Sequence, residues 1–455
     1  MEKGKGERVK GRKREKNSLS PSLSINVNPF LLSKRLFLVN RTLLVKGGTF
    51  LFSSILQRAA GFLMVPVLIA TASPDLFTRY GLLVSAFAIL VPLFSLNVHL
   101  APQRLYYDYQ HRREQASFLA TTLMASVGFT GIGLLLLLAF SPLLIPGDPL
   151  TTGRFDFKVG LALVVVMMVA VQFSTMLARV KGRANTYALL TGAQGVGLLL
   201  AFLALYTIRA ADFQSLLLAF LAANLLAAFI GLRYAAPHLR EARLSAALLK
   251  QAVAFSWPTS IHLLALWGIT YSGRWIGTQF MSLEALAPFI LVTTIANAAA
   301  MLPRALYDAR MPDIGTAFAQ GRRRDGARLI RSITYTSLGL LALVYGGLFV
   351  LLYGVGLDLP PAYRPTLSLL LLAALASMFD TVYLQGVQVL VALKKTGTQA
   401  AATVFSGLLT IVLSFVLARS YGDLGLIAAV VAGFAVQAAV SCLLAQRRLR
   451  DANAT

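Results

Sequence analysis

Twelve long apolar segments, with basic residues crowded into every other gap between them, constrain this chain more than any other feature. They run near 48–72, 80–103, 118–142, 159–178, 187–208, 213–232, 252–273, 285–303, 332–354, 366–392, 398–418 and 424–446. Each meets the roughly 20 apolar residues that a helix needs to cross a ~30 Å hydrocarbon layer. The pattern predicts an all-α polytopic membrane protein of about 12 transmembrane helices. Of the 42 Lys and Arg, 34 fall in the odd-numbered gaps, tails included, and seven in the even-numbered ones. The positive-inside rule then places both termini and the basic loops in the cytoplasm.

A net charge of +24 would suit nucleic acid in a soluble protein. Here it lies on one side of a membrane, where anionic lipid headgroups attract it, so lipid and not nucleic acid is the expected partner. Cys442 stands alone, which excludes an intramolecular disulfide, and His99, His111, His238 and His262 show no metal-ligand spacing. No cofactor is expected. Residues 1–28 contain no apolar run, so no cleavable signal is expected. The tail 1–29 is basic and polar and reads as disordered. It serves as an anionic-lipid contact or simply as an orientation signal. Residues 30–46 mix Leu and Phe with Lys34, Arg35, Arg41 and Lys46, which suits an interfacial helix on the inner leaflet.

The chain reads as duplicated. A shift of 200 residues lays Arg104, Tyr107 and Asp108 over Arg304, Tyr307 and Asp308, each set ending the second span of a half. Six spans separate equivalent elements, so the halves insert alike, as parallel repeats. The expected organisation is a first lobe over 47–234, a cytoplasmic linker over 235–250, a second lobe over 251–446 and a cytoplasmic tail over 447–455. The linker is amphipathic and predicts a short helix lying on the membrane. Outer loops are short, the longest near 143–158, and leave no room for a catalytic domain. An enzyme is not expected.

Charge inside the spans marks candidate chemistry. Arg58 lies about ten residues into the first span, ~15 Å deep. A guanidinium there costs about 2.5–3.5 kcal/mol on insertion scales, so it faces water, a partner or an anion. It reads as a phosphate anchor beside Gln57, or as an arginine tied to a neighbouring helix. Asp380, midway in span ten, reads as a proton or sodium coupling site, as the counter-ion of Arg58, or as a helix-contact hydrogen bonder. Arg274, ending span seven, is a second anion contact at the outer mouth or a snorkelling interfacial residue. His262 is a helix-contact histidine or a substrate contact. Other mid-span polar residues (Asn97, Gln172, Gln194, Asn224, Asn297, Gln388, Gln437) suit interhelical hydrogen bonds, and some must wet a central path.

Longer stretches carry a resemblance. SSILQRAAGFLMVPVLIATASPDLFTRYGLL opens it, SLNVHLAPQRLYYDY and FSWPTSIHLLALWGITYSGRWIGTQFMSLEALAPF follow, and a Gly-Asp-Leu-Gly-Leu run closes it between spans eleven and twelve. Over residues 35–449 the chain resembles the polysaccharide/oligosaccharide flippases of the multidrug/oligosaccharidyl-lipid/polysaccharide exporter superfamily. The resemblance implies two six-helix lobes around a central cavity in the bacterial inner membrane. It implies an undecaprenyl-diphosphate-linked oligosaccharide as cargo, moved to the outer leaflet by alternating access, with polysaccharide polymerase machinery as a downstream partner. Arg58 and Arg274 are the positions it offers for the diphosphate. Many relatives carry an acid just before the second arginine, where this chain has Gly273. A multidrug cation antiporter and a peptidoglycan-precursor flippase of the same superfamily are the alternatives.

Overall fold

The computed structural model describes residues 63–144, 155–208, 212–356, 359–393 and 396–454, and the regular elements among them are helical. Helix α1 covers 63–71, and α2 (Pro74–Ser95) follows it. Single turns at Val98–Leu100 and Tyr106–Asp108 flank the short α3 (Pro102–Leu105). The first half is completed by α4 (Arg112–Leu144), α5 (Phe155–Val180), α6 (Ala184–Ile208) and α7 (Phe213–Leu239). The second half holds α8 (Ala246–Thr270), α9 (Ser272–Gly277), α10 (Leu283–Ala299), α11 (Met301–Ala319), α12 (Arg323–Phe349), α13 (Leu367–Ala392) and α14 (Thr396–Ala454). Short polar side chains start several of them. Ser73, Asp212, Ser245, Ser282 and Thr366 each accept a backbone N–H from the first turn of the helix that follows.

Among the described residues, ten helical stretches are long and apolar enough to cross a bilayer. The last of them is two helices. Gly422 has φ 56° and ψ −130°, a conformation that suits glycine, and the chain doubles back there. Gly425 comes against Leu417, Gly433 against Thr410, and Gln437 donates to Thr403 at 3.1 Å, as in an antiparallel pair. With α1 as the described part of the first predicted span, the architecture is twelve crossings in two six-helix lobes. The expectations for residues 1–29 and 30–46 lie outside the described residues. The predicted membrane-surface helix over 235–250 is not formed. Instead α7 runs to Leu239 and α8 starts at Ala246, so Leu239 and Leu248 belong to the crossing helices. The intervening turn is fastened to α4, where Ser117 Oγ and Thr121 Oγ1 accept the N–H groups of Arg243 and Ser245.

The exterior is apolar: Ile132, Leu135, Leu343, Phe405, Val412 and Val416 are all exposed. Such a belt suits lipid and not water. Inside, small hydroxyls satisfy themselves along their own helix, as Ser126 does on the Thr122 carbonyl and Ser174 on the Ala170 carbonyl. Glycines bring backbones together, the usual way membrane helices gain contact. A Cβ on Gly386 would stand 2.7 Å from the Ser441 carbonyl carbon and 2.9 Å from the Cys442 nitrogen. Both are backbone atoms that cannot rotate aside. Gly386→Ala is therefore expected to cost about 1–3 kcal/mol through separation of α13 from α14, read as a lower Tm in detergent. An unchanged Tm would show that the two helices slip without penalty.

Candidate functional site

A cavity of about 530 Å³ lies between the lobes, walled by α2, α5 and α7 on one side and by α8, α10, α11, α13 and α14 on the other. Its wall is largely apolar and aromatic, with Phe87, Phe220, Trp267, Tyr271 and Phe434 among the lining residues. Its fixed charges, among the described residues, are Arg304 and Asp380.

Asp380 lies about 13 residues into α13, ~20 Å along it, and is 3% exposed. Arg304 Nη2 donates to Asp380 Oδ2 at 3.1 Å, while Asp380 Oδ1 is buried with no hydrogen-bond partner among the described residues. The Arg304 side chain remains 38% exposed, so much of its guanidinium faces the open space. Local sequence explains its aim. Pro303 has no N–H to offer the Ala299 carbonyl, and the helix is interrupted at Ala300 between α10 and α11. Arg304 stands in the first turn after that interruption, beside α13. Among the described residues the counter-ion of Asp380 is thus Arg304, which the hydropathy pattern puts at a cytoplasmic span end. The repeated Arg-Tyr-Asp pattern was the available signal. Its two copies have diverged: Arg104 pairs with Asp108 on an exposed surface, and Tyr107 is 64% exposed where Tyr307 is 1% exposed.

Arg274 is not at an outer mouth and does not snorkel. It is 2% exposed and lies behind the cavity wall. Nη1 donates to the Gly81 carbonyl at 3.0 Å, Nη2 donates to Thr293 Oγ1 and Thr294 Oγ1 at 3.1 and 3.2 Å, and Tyr271 stacks 5.1 Å from its Cζ. A Cβ on Gly81 would run into Ile290 Cγ2, so the missing side chain is what lets α10 pack tightly on α2 beside this bond. Two indoles reach the same stretch: Trp267 Nε1 donates to the Ser85 carbonyl at 2.7 Å and Trp275 Nε1 to Ser85 Oγ at 2.8 Å. Three donors of the second half therefore converge on one turn of α2 in the first.

His262 meets Thr403 Oγ1 at 3.1 Å through Nδ1, a contact between α8 and α14, and is not among the cavity-lining residues. That matches the helix-contact reading. Gln57 and Arg58 lie outside the described residues. Of the mid-span polar residues, Asn97, Gln172 and Asn297 line the cavity. Gln194 instead donates to Asn224 at 2.9 Å, between α6 and α7. Asn97 sits where the second crossing breaks: Leu96 and Asn97 have φ 49° and 52°, left-handed values uncommon outside glycine. Pro92, three residues before the end of α2, is a residue in the sequence that marks a bend here.

No protein-family model matches the chain, and no curated protein sequence matches it. Solved structures of similar fold do exist. An inward-facing multidrug-resistance MATE family transporter of the MOP superfamily superposes with a TM-score of 0.62 at 14% identity, over 90% of this chain and 96% of that one. The lipid II flippase MurJ, in an inward closed conformation, gives 0.61 at 14% identity, over 87% of each chain. The eukaryotic MATE transporter AtDTX14 gives 0.60 at 14% identity, over 92% and 98%. These neighbours are transporters and a flippase, and the chain shares their twelve-helix, two-lobed fold.

Proposed function

We propose that this protein is a flippase that carries an undecaprenyl-diphosphate-linked oligosaccharide from the cytoplasmic to the outer leaflet by alternating access. The observation that carries this reading is the half-exposed Arg304 guanidinium on the cavity wall. Asp380 engages a single one of its nitrogens and leaves other N–H donors for a ligand. A diphosphate suits them, since a guanidinium grips phosphate oxygens bidentately. By the charge rule, α10 and α13 run inward, so Arg304, past the end of α10, lies on the cytoplasmic side of a pair whose acid is midway along α13, the side from which a headgroup would enter. Arg58, with Gln57, is proposed as a further anion contact. A ligand that takes Arg304 frees Asp380 to bind H+ or Na+, so cargo and ion compete for one pair. Polymerase machinery would consume the delivered oligosaccharide.

The buried Asp380 Oδ1, without a partner among the described residues, favours a second reading, export of organic cations. Proteoliposomes separate the two. A fluorescent prenyl-diphospho-oligosaccharide is expected to become reductant-accessible on the far leaflet at a rate well above protein-free vesicles, while ethidium stays put. Ethidium movement with a static glycolipid would replace the flippase with the cation exporter.

A further inference from the structure

Apart from its charged pair, the cavity carries two amides on its first-half wall, Asn97 and Gln172. We propose that they form a hydroxyl-reading subsite that takes a sugar of the cargo. The inference rests on the glycolipid reading above and adds which residues recognise the sugar.

The hydrogen bonds fix which end of each amide faces inward. Asn97 Nδ2 donates to Ser260 Oγ at 3.1 Å. The Ser260 hydroxyl spends its own proton on the Ser256 carbonyl at 3.2 Å, so Ser260 Oγ is an acceptor toward Asn97. Asn97 thereby presents its Oδ1, which has no bond among the described residues. Gln172 Oε1 lies 2.7 Å from His99 Nε2. With the proton on Nε2, the fully buried His99 keeps a lone orphan among the described residues, the acceptor Nδ1. The reverse assignment would strand a buried N–H donor, which folded proteins rarely tolerate. Gln172 therefore presents its Nε2 donors.

One carbonyl acceptor and one N–H donor set on the same cavity wall match a hydroxyl, which both accepts and donates. A bare ammonium would meet the acceptor alone, and a bare phosphate the donor alone. The backbone holds the acceptor in place under strain. Leu96 and Asn97 both take left-handed φ, and Ser95 pins the bend: its Oγ accepts the Asn97 N–H at 3.1 Å and donates to the Val91 carbonyl at 2.6 Å. Strained non-glycine backbone of this kind concentrates at ligand sites. The neighbouring turn Val98–Leu100 carries His99, which ties the bend to Gln172 on α5.

The test uses full-length protein in nanodiscs and three probes: geranyl diphosphate, geranyl-diphosphoglucose and hexyl glucoside. Two neutral hydrogen bonds should make the glucosyl probe bind roughly tenfold tighter than the bare diphosphate. That ratio is expected to fall below about threefold in Asn97→Ala and in Gln172→Ala. Gln172→Glu keeps the acceptor for His99 and the side-chain volume but loses the inward donor, and should lower the ratio likewise while folding normally. A ratio of one in the unaltered protein, or a tenfold ratio that survives in the folded variants, overturns the subsite. Hexyl glucoside has no phosphate. Its binding, lost in the same variants, would uphold the subsite even where neither diphosphate binds, a result that would sink the glycolipid reading alone. Hexyl glucoside binding that the variants leave unchanged counts against the subsite.

Discussion

Arg304→Gln is expected to lower transport by at least about a hundredfold and to destabilise the protein by about 3 kcal/mol, because it strands the Asp380 carboxylate. That carboxylate is 3% exposed and has a single hydrogen-bonded partner among the described residues. Removing one member of a buried pair costs far more than removing both, since an uncompensated charge remains. Asp380→Asn should be milder for stability. It leaves a cation that still faces the cavity, with an amide beside it. The double variant Arg304→Gln/Asp380→Asn should recover most of the lost Tm without recovering transport. Thermal unfolding and vesicle flipping on the same four proteins separate the outcomes. Equal transport in Arg304→Gln and the unaltered protein would remove this pair from the mechanism. A double variant no more stable than Arg304→Gln would show that the pair does not govern the stability of α13.

Arg274→Met is expected to behave in the opposite way: transport down by roughly tenfold or more, with Tm unchanged or raised. Arg274 is buried against neutral acceptors, with no carboxylate partner among the described residues. Its acceptors do not need it. Thr293 and Thr294 already donate to carbonyls of their own helix, at Phe289 and Ile290. An apolar residue of similar volume therefore orphans no buried donor, and replacing buried charge in this manner is often neutral or stabilising by about 1–4 kcal/mol. What the variant loses is the bond from the second half to Gly81. The Trp267 and Trp275 bonds to Ser85 and the Thr78 Oγ1 bond to the Leu283 carbonyl at 2.8 Å would remain, and with one tie fewer the lobes should part more readily at this end. Labelling of Ser85→Cys by a membrane-impermeant maleimide should rise in the Arg274→Met background. A loss of 3 kcal/mol or more with unaltered labelling would mark Arg274 as a simple structural support.

The fold was legible in the sequence because a bilayer leaves little choice. Length, apolarity and alternating charge gave the crossings, and the Gly-Asp-Leu-Gly-Leu run coincides with the reversal at Gly422. The site was legible in part. Asp380 stood out as a lone acid within an apolar run and does line the cavity. Arg304 did not stand out, because a basic residue next to a span end is what a topology signal looks like. Hydropathy cannot see that the interruption at Ala300 lets the crossing continue into α11. Arg274 was found but misplaced along the radius of the bundle. Periodicity within an all-apolar helix says little about which face meets a neighbour, and the deciding partner, Gly81, is a carbonyl with no side chain to announce it. Asn97 and Gln172 were two among several mid-span amides. The break at Leu96 that sets Asn97 apart is a backbone event with no glycine to mark it.

The contact between α8 and α14 restricts how the second lobe can rearrange. A Cβ on Gly407 would lie 2.5 Å from the Ala265 carbonyl oxygen, and one on Gly268 would lie 3.4 Å from the Gly407 carbonyl oxygen. Main chain abuts main chain there, so no intervening side chains act as bearings for one helix to slide on the other. Leu263, Leu266 and Trp267 on α8 must then travel with the stretch of α14 before Gly422, and Ile427, Val430 and Phe434 follow through the close approaches of Gly425 to Leu417 and of Gly433 to Thr410. That wall of the cavity keeps its shape in any rearrangement, and deformation is left to the elements on its margins.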